Sequence, residues 1–172
     1  MQEKIIHWWK LHYKPFFVFI GILLIISPVI LSRQLNDLDE IWNYNFAKNI
    51  ADGLVPYKDF NMLQTPLLPL ISSLFLKLFG NELIVMRILA ILLISALFFM
   101  IYKIIKKLKI NIFYNLIFIF LLFLLLKDYI CIDYNFAILF FTLILINLEL
   151  NIFIKNKNIS ENNYFKNNLL FY

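Results

Sequence analysis

The sequence predicts an all-α integral membrane protein, with about four transmembrane helices and two interfacial helices in the first extracytoplasmic loop. Three observations predict it. The chain is 62% hydrophobic and 16% charged, with a mean hydropathy of +0.79, whereas a soluble domain is nearer half apolar and a quarter charged. Four apolar runs approach the ~20 residues that a membrane span requires. The charges gather between those runs, and their balance alternates from one connection to the next.

The first span covers about 16–32. Its apolar core is long for a signal peptide and no small-x-small cleavage site follows, so it is expected to stay as an anchor. The second covers about 83–102 and carries Arg87 in its first turns. The third, 112–126, is short, but its run FIFLLFLLL is lipid-compatible. The fourth, 134–154, has Asn147 and Glu149 near its end, and a polar cytoplasmic tail is expected over 155–168. A further apolar stretch, 67–79, is interrupted by Pro69, Ser72, Ser73 and Lys77. It reads as interfacial or re-entrant.

Orientation follows from the lysines. The N-terminal segment holds Lys4, Lys10 and Lys14 against Glu3. The connection after the second span holds Lys103, Lys106, Lys107 and Lys109 with no acid. The tail holds Lys155, Lys157 and Lys166 against Glu161. The long loop 33–81 and the short connection with Lys127, Asp128 and Asp133 are richer in acids. The positive-inside rule then puts the N-terminus and tail in the cytoplasm and loop 33–81 outside a plasma membrane. Trp8, Trp9 and Tyr13 sit where an interfacial aromatic belt belongs.

Other residues restrict function less. Cys131 is the sole cysteine, which excludes an internal disulfide. His7 and His12 read as interfacial and are too few for a metal site. The +5 net charge belongs to the topology signal, so no nucleic-acid partner is expected.

Loop 33–81 carries the chemistry-bearing residues. Leu38, Ile41, Trp42, Phe46 and Ile50 recur at helical spacing over 37–52, with Asn45 as a polar exception. Asn36 or Asp37 can cap that helix and Gly53 fits its end. Prolines make Val55-Pro56-Tyr57 and Gln64-Thr65-Pro66 extended or turn segments. A second helix over 67–79 stops at Gly80-Asn81.

Asp39 and Glu40 are adjacent acids just after the membrane exit, a place suited to acid–base chemistry. They equally suit a helix start, where Asp37-x-x-Glu40 fits a capping box. Asp37-Leu38-Asp39 also forms a D-x-D that can hold a divalent cation, a weak signal. Arg87 can bind a phosphate bidentately, pair with an external acid or reach the interface. Asp133 heads the fourth span, where an N-cap is its plain role.

Taken in order, Asp39-Glu40-Ile41-Trp42, the run Ala47-Lys48-Asn49-Ile50-Ala51-Asp52-Gly53-Leu54-Val55-Pro56-Tyr57-Lys58-Asp59-Phe60, Gln64-Thr65-Pro66-Leu67, Leu78-Phe79-Gly80 and Arg87 form a pattern. It resembles the N-terminal region of GT-C fold glycosyltransferases. Within them it is most similar to the family 39 group, which includes protein O-mannosyltransferases and lipid A aminoarabinose transferases. Asp133-Tyr134-Asn135-Phe136-Ala137 resembles that group's second external loop.

The resemblance implies transfer of a sugar from a polyprenyl-phosphate carrier to an acceptor glycan, lipid or protein on the outer face. It implies Asp39 as the base with Glu40 in support, and Arg87, Tyr57, Gln64 and Asp133 as substrate-binding residues. It implies no bound metal or other cofactor; its partners are the lipid-linked donor, the acceptor and the membrane lipids. The Lys-Pro-Pro and His-Pro-Pro motifs of the two named branches are replaced by Thr65-Pro66-Leu67, which leaves the acceptor open.

Family members have many more spans and a C-terminal domain. Here Leu169-Leu170-Phe171-Tyr172 reads as the start of a fifth span. The chain is accordingly expected to be an N-terminal fragment, inactive alone. The competing reading is a non-enzymatic small polytopic protein or partner subunit whose external acids are helix caps. A small transporter is less favoured, since no internal repeat is visible.

Overall fold

A computed structural model describes residues 2–35 and 38–169, with side chains for 13–35 and 38–157. Among the described residues there are six helices: α1 Gln2–Leu31, α2 Leu38–Ala51, α3 Leu67–Phe79, α4 Leu83–Lys107, α5 Ile112–Leu126 and α6 Tyr134–Leu169. The protein is an all-α membrane protein. Stretches Tyr13–Leu31, Leu83–Lys107 and Tyr134–Lys157 are long and apolar enough to cross a bilayer. Helix α5 is equally apolar but has 15 residues. At 1.5 Å per residue that is about 22 Å, short of the ~30 Å hydrocarbon core.

Helix α4 is the hub and packs against α1, α3, α5 and α6. Met86, Ile94, Leu97 and Phe98 of α4 are fully buried, as are Ile26 and Ile30 of α1. The outward sides stay apolar, with Leu24 on α1, Leu125 on α5 and Phe153 on α6 exposed. Such faces suit lipid rather than water. Polar groups inside the spans turn to their own backbone: Ser27 Oγ donates to the Leu23 carbonyl at 2.6 Å and Thr142 Oγ1 to the Ile138 carbonyl at 2.9 Å.

At the lysine-bearing end, Lys107 Nζ donates to the Asn147 main-chain oxygen at 3.0 Å and to its side-chain oxygen, joining α4 to α6. Asn115 Nδ2 donates to the Tyr102 carbonyl at 3.1 Å, joining α5 to α4. At the opposite end, Arg33 Nη1 donates to the Ile130 carbonyl at 2.5 Å and seats the 127–133 connection beside the end of α1.

Two expectations need correction. The tail 155–168 is helical rather than a loop, because α6 continues to Leu169. That stretch contains no Gly or Pro to stop a helix, and hydropathy marks where lipid ends, not where the helix ends. Likewise Lys103, Lys106 and Lys107 lie on α4 and not in a loop, since lysine is a good helix former. The turn comes at Leu108 and at Lys109, whose φ is 59°. The apolar stripe of α2 is divided: Leu38 and Trp42 are exposed, whereas Ile50 is buried together with Glu40, Asn43 and Ala47. Apolar spacing reports which side avoids water, and at a membrane surface that side can face lipid.

Asn36 and Asp37, the side chains of Trp8, Trp9, His7 and His12, and the beginning of a fifth span at 170–172 lie outside the described residues.

Candidate functional site

Helices α2 and α3 pack together over the end of the bundle where α4 begins. The chain between them is built residue by residue. Gly53 sits at φ 95°, where its N–H reaches the Ile50 carbonyl (3.1 Å) and the Leu54 N–H reaches the Asn49 carbonyl (2.9 Å). This paired pattern closes α2. Asp59 Oδ2 then accepts from the Val55 N–H at 2.8 Å, clasping the next turn. Tyr57 adopts φ 65°, uncommon for a residue with a side chain, and its N–H donates to the Phe60 carbonyl at 3.0 Å. Phe60 stacks on Phe46 of α2 at 6.0 Å. The Gly53-to-Phe60 motif is thus a folded clasp that returns the chain across α2.

The two adjacent acids have different surroundings. Glu40 is buried, and both its oxygens accept from Arg87: Nε to Oε1 at 2.8 Å and Nη2 to Oε2 at 3.3 Å. The side chains are 3% and 11% exposed. Arg87 Nη1 also donates to the carbonyl of Leu31, the last residue of α1, at 3.3 Å. One guanidinium therefore ties α1, α2 and α4 at a single point. Of the roles open to Arg87, pairing with an external acid is the one realised here.

Asp39 is half-buried and lines a cleft of about 800 Å³. Trp42, Phe60 and Tyr134 supply aromatic surface there. Asn45, Asn49, Asn61, Gln64 and Thr65 supply amides and a hydroxyl. Such a lining can hold a polyol, with ring faces for carbon-bound hydrogens and amides for hydroxyls.

Asn43 supports the cleft from behind and was missed in the sequence. It is fully buried; Nδ2 donates to the Asp39 carbonyl at 2.8 Å, and Oδ1 accepts from Gln64 Nε2 at 2.7 Å. The Tyr57 hydroxyl donates to the Gln64 carbonyl at 2.7 Å. Gln64 lies at the cleft, while Tyr57 acts behind it as a pin.

Asp133 does not line the cleft, although Tyr134 beside it does. It is buried; Oδ2 accepts from Asn135 Nδ2 at 2.7 Å, and Oδ1 has no hydrogen-bond partner. Among the described residues no three His, Cys, Asp or Glu side chains gather as a metal site. Asp37, the other half of the D-x-D, lies outside them.

Below the cleft lies an apolar groove of about 240 Å³ between α3, α4 and α6. The two share Thr65, Tyr134 and Ile138 as lining residues, so the polar chamber and the apolar one are adjacent. No protein-family model, curated protein or solved structure matches the chain. The functional reading therefore rests on the residues themselves.

Proposed function

We propose that the cleft is the sugar-transfer site of a membrane glycosyltransferase. It moves a sugar from a polyprenyl-phosphate donor to an acceptor on the outer face of the plasma membrane. The observation that carries this reading is the adjacency of the amide- and aromatic-lined cleft and the apolar groove, which share Thr65, Tyr134 and Ile138. A lipid-linked sugar has the same division, with a polyol that needs hydrogen bonds and a tail that needs hydrocarbon.

Asp39 is the general base in this mechanism. It takes the proton of the acceptor hydroxyl as that oxygen attacks the anomeric carbon. The bond from that carbon to the phosphate oxygen breaks, and the polyprenyl phosphate leaves. Arg87 binds Glu40, so both are positioning residues: their ion pair holds the first turn of α2 and with it Asp39. The cleft groups able to donate to the leaving phosphate include the amides of Asn61 and Gln64 and the Tyr134 hydroxyl. The alternating charge of the connections orients the cleft outward and the N-terminus to the cytoplasm.

Saturable binding is the direct test. The full chain in lipid nanodiscs is titrated with a radiolabelled polyprenyl-phosphate hexose and challenged with unlabelled polyprenyl phosphate. Saturable, displaceable binding that Thr65→Trp weakens at least tenfold supports the reading. Uptake that is linear in lipid and indifferent to Thr65→Trp overturns it.

A further inference from the structure

A second groove, which shares no lining residue with the cleft, runs along the bundle. It holds about 340 Å³ over α4, flanked by α1 and α5. Phe17, Gly21 and Ile25 line one side, Phe98 its floor, and Leu116 and Phe120 the other side. Nothing in that lining can bind a polar ligand, and α1 and α4 are both long enough to cross a bilayer. A hydrocarbon chain suits it.

What selects the occupant is the charge at the groove's end. Lys14 lies one turn before Phe17 and Val18, both lining residues. Lys103 lies one turn beyond Phe99, with its Nζ 6.0 Å from the centre of that ring. Phe99 packs edge-on against Phe19 of α1 at 5.4 Å. Lys106 stands in the same relation to Tyr102, again at 6.0 Å, and Tyr102 stacks on Phe99 at 5.9 Å. All three lysines are exposed. Three cations thus stand on α1 and α4 toward the lysine-bearing end of the bundle, Lys14 one turn from the slot's lining and Lys103 and Lys106 on rings beside it. No acid lies on α4 or α5 to neutralise them.

We propose that this groove seats an acyl chain of an anionic phospholipid, with Lys14, Lys103 and Lys106 holding its phosphate headgroup. Charge complementarity chooses an anionic lipid over a zwitterionic one, and the lysine stems lie along the aromatic rings while their ammonium groups reach the headgroup layer. The site is separate from the sugar cleft and stands whether or not that reading holds.

Native mass spectrometry of the full chain, released from detergent with phosphatidylglycerol or phosphatidylcholine added, tests the proposal. Retention of one phosphatidylglycerol at least fivefold over phosphatidylcholine is the expected result. Lys103→Ala/Lys106→Ala removes that preference, and Lys103→Arg/Lys106→Arg keeps it. Gly21→Leu reduces retention of both lipids; Gly21 lines the slot and no atom lies within 4 Å of an added Cβ there, so the new side chain starts in open space in the slot. Equal retention of the two lipids by the wild type, a preference that survives the double alanine variant, or retention unaffected by Gly21→Leu would each overturn the proposal.

Discussion

Arg87 holds Glu40 with two hydrogen bonds, 2.8 and 3.3 Å long, between residues 47 apart in the chain. The pair divides the labour of two neighbouring acids: Glu40 is committed to the fold, and Asp39, one residue earlier, lines the cleft.

Removing one partner leaves a buried charge uncompensated. Arg87→Ala and Glu40→Gln should each destabilise the protein by about 3 kcal/mol or more. Arg87→Lys should recover only part of this, since an ammonium cannot hold two oxygens in a fork. Thermal unfolding in detergent measures the effect. A melting temperature unchanged in Arg87→Ala would show that the pair contributes nothing.

Asn43 has no exposure and two hydrogen bonds, one to the Asp39 carbonyl and one from Gln64. Asn43→Leu should cost about 1–3 kcal/mol because it strands the Gln64 amide. Gln64→Leu in the same background should then add little, a coupling that a double-mutant cycle reads directly. Strict additivity would mean that the two side chains do not work together.

Gly53 occupies φ 95°, and an added Cβ there meets no atom within 4 Å. The cost of Gly53→Ala is therefore conformational alone, about 1–2 kcal/mol. Equilibrium unfolding should show that loss with no change in the cleft's ligand binding.

Topology is accessible by chemistry. Asn61 and Lys109 are both exposed, at opposite ends of the bundle. In a Cys131→Ser background, a membrane-impermeant maleimide should label Asn61→Cys on intact cells and Lys109→Cys only after lysis. The reverse pattern would invert the orientation.

Much of the fold was legible because a bilayer demands contiguous apolar runs. The bounds of α3 and α5 emerge residue for residue, since Pro66, Gly80 and Asn111 punctuate them. Helix ends beyond the lipid were not legible, as nothing in Lys103–Lys107 or in 155–168 changes in apolar content where the helix ends. In α2 the stripe Leu38, Trp42 was visible, but its partner was not, because periodicity does not distinguish lipid from protein. The polar exception in that stripe, Asn45, was a signal: it lines the cleft, with Asn49 one turn on. Asn43 gave none, since its role depends on Gln64, brought beside it only by the Gly53-to-Phe60 clasp.

The base assignment is tested most directly by one substitution. Asp39→Asn keeps size and shape, so membrane level and melting temperature should match the wild type. With the gene in its own chromosomal setting, sugar addition to the cell surface should fall at least ~100-fold, the range expected for a lost general base. Sugar addition by Asp39→Asn at the wild-type rate would contradict the account and return Asp39 to the role of a helix-start residue.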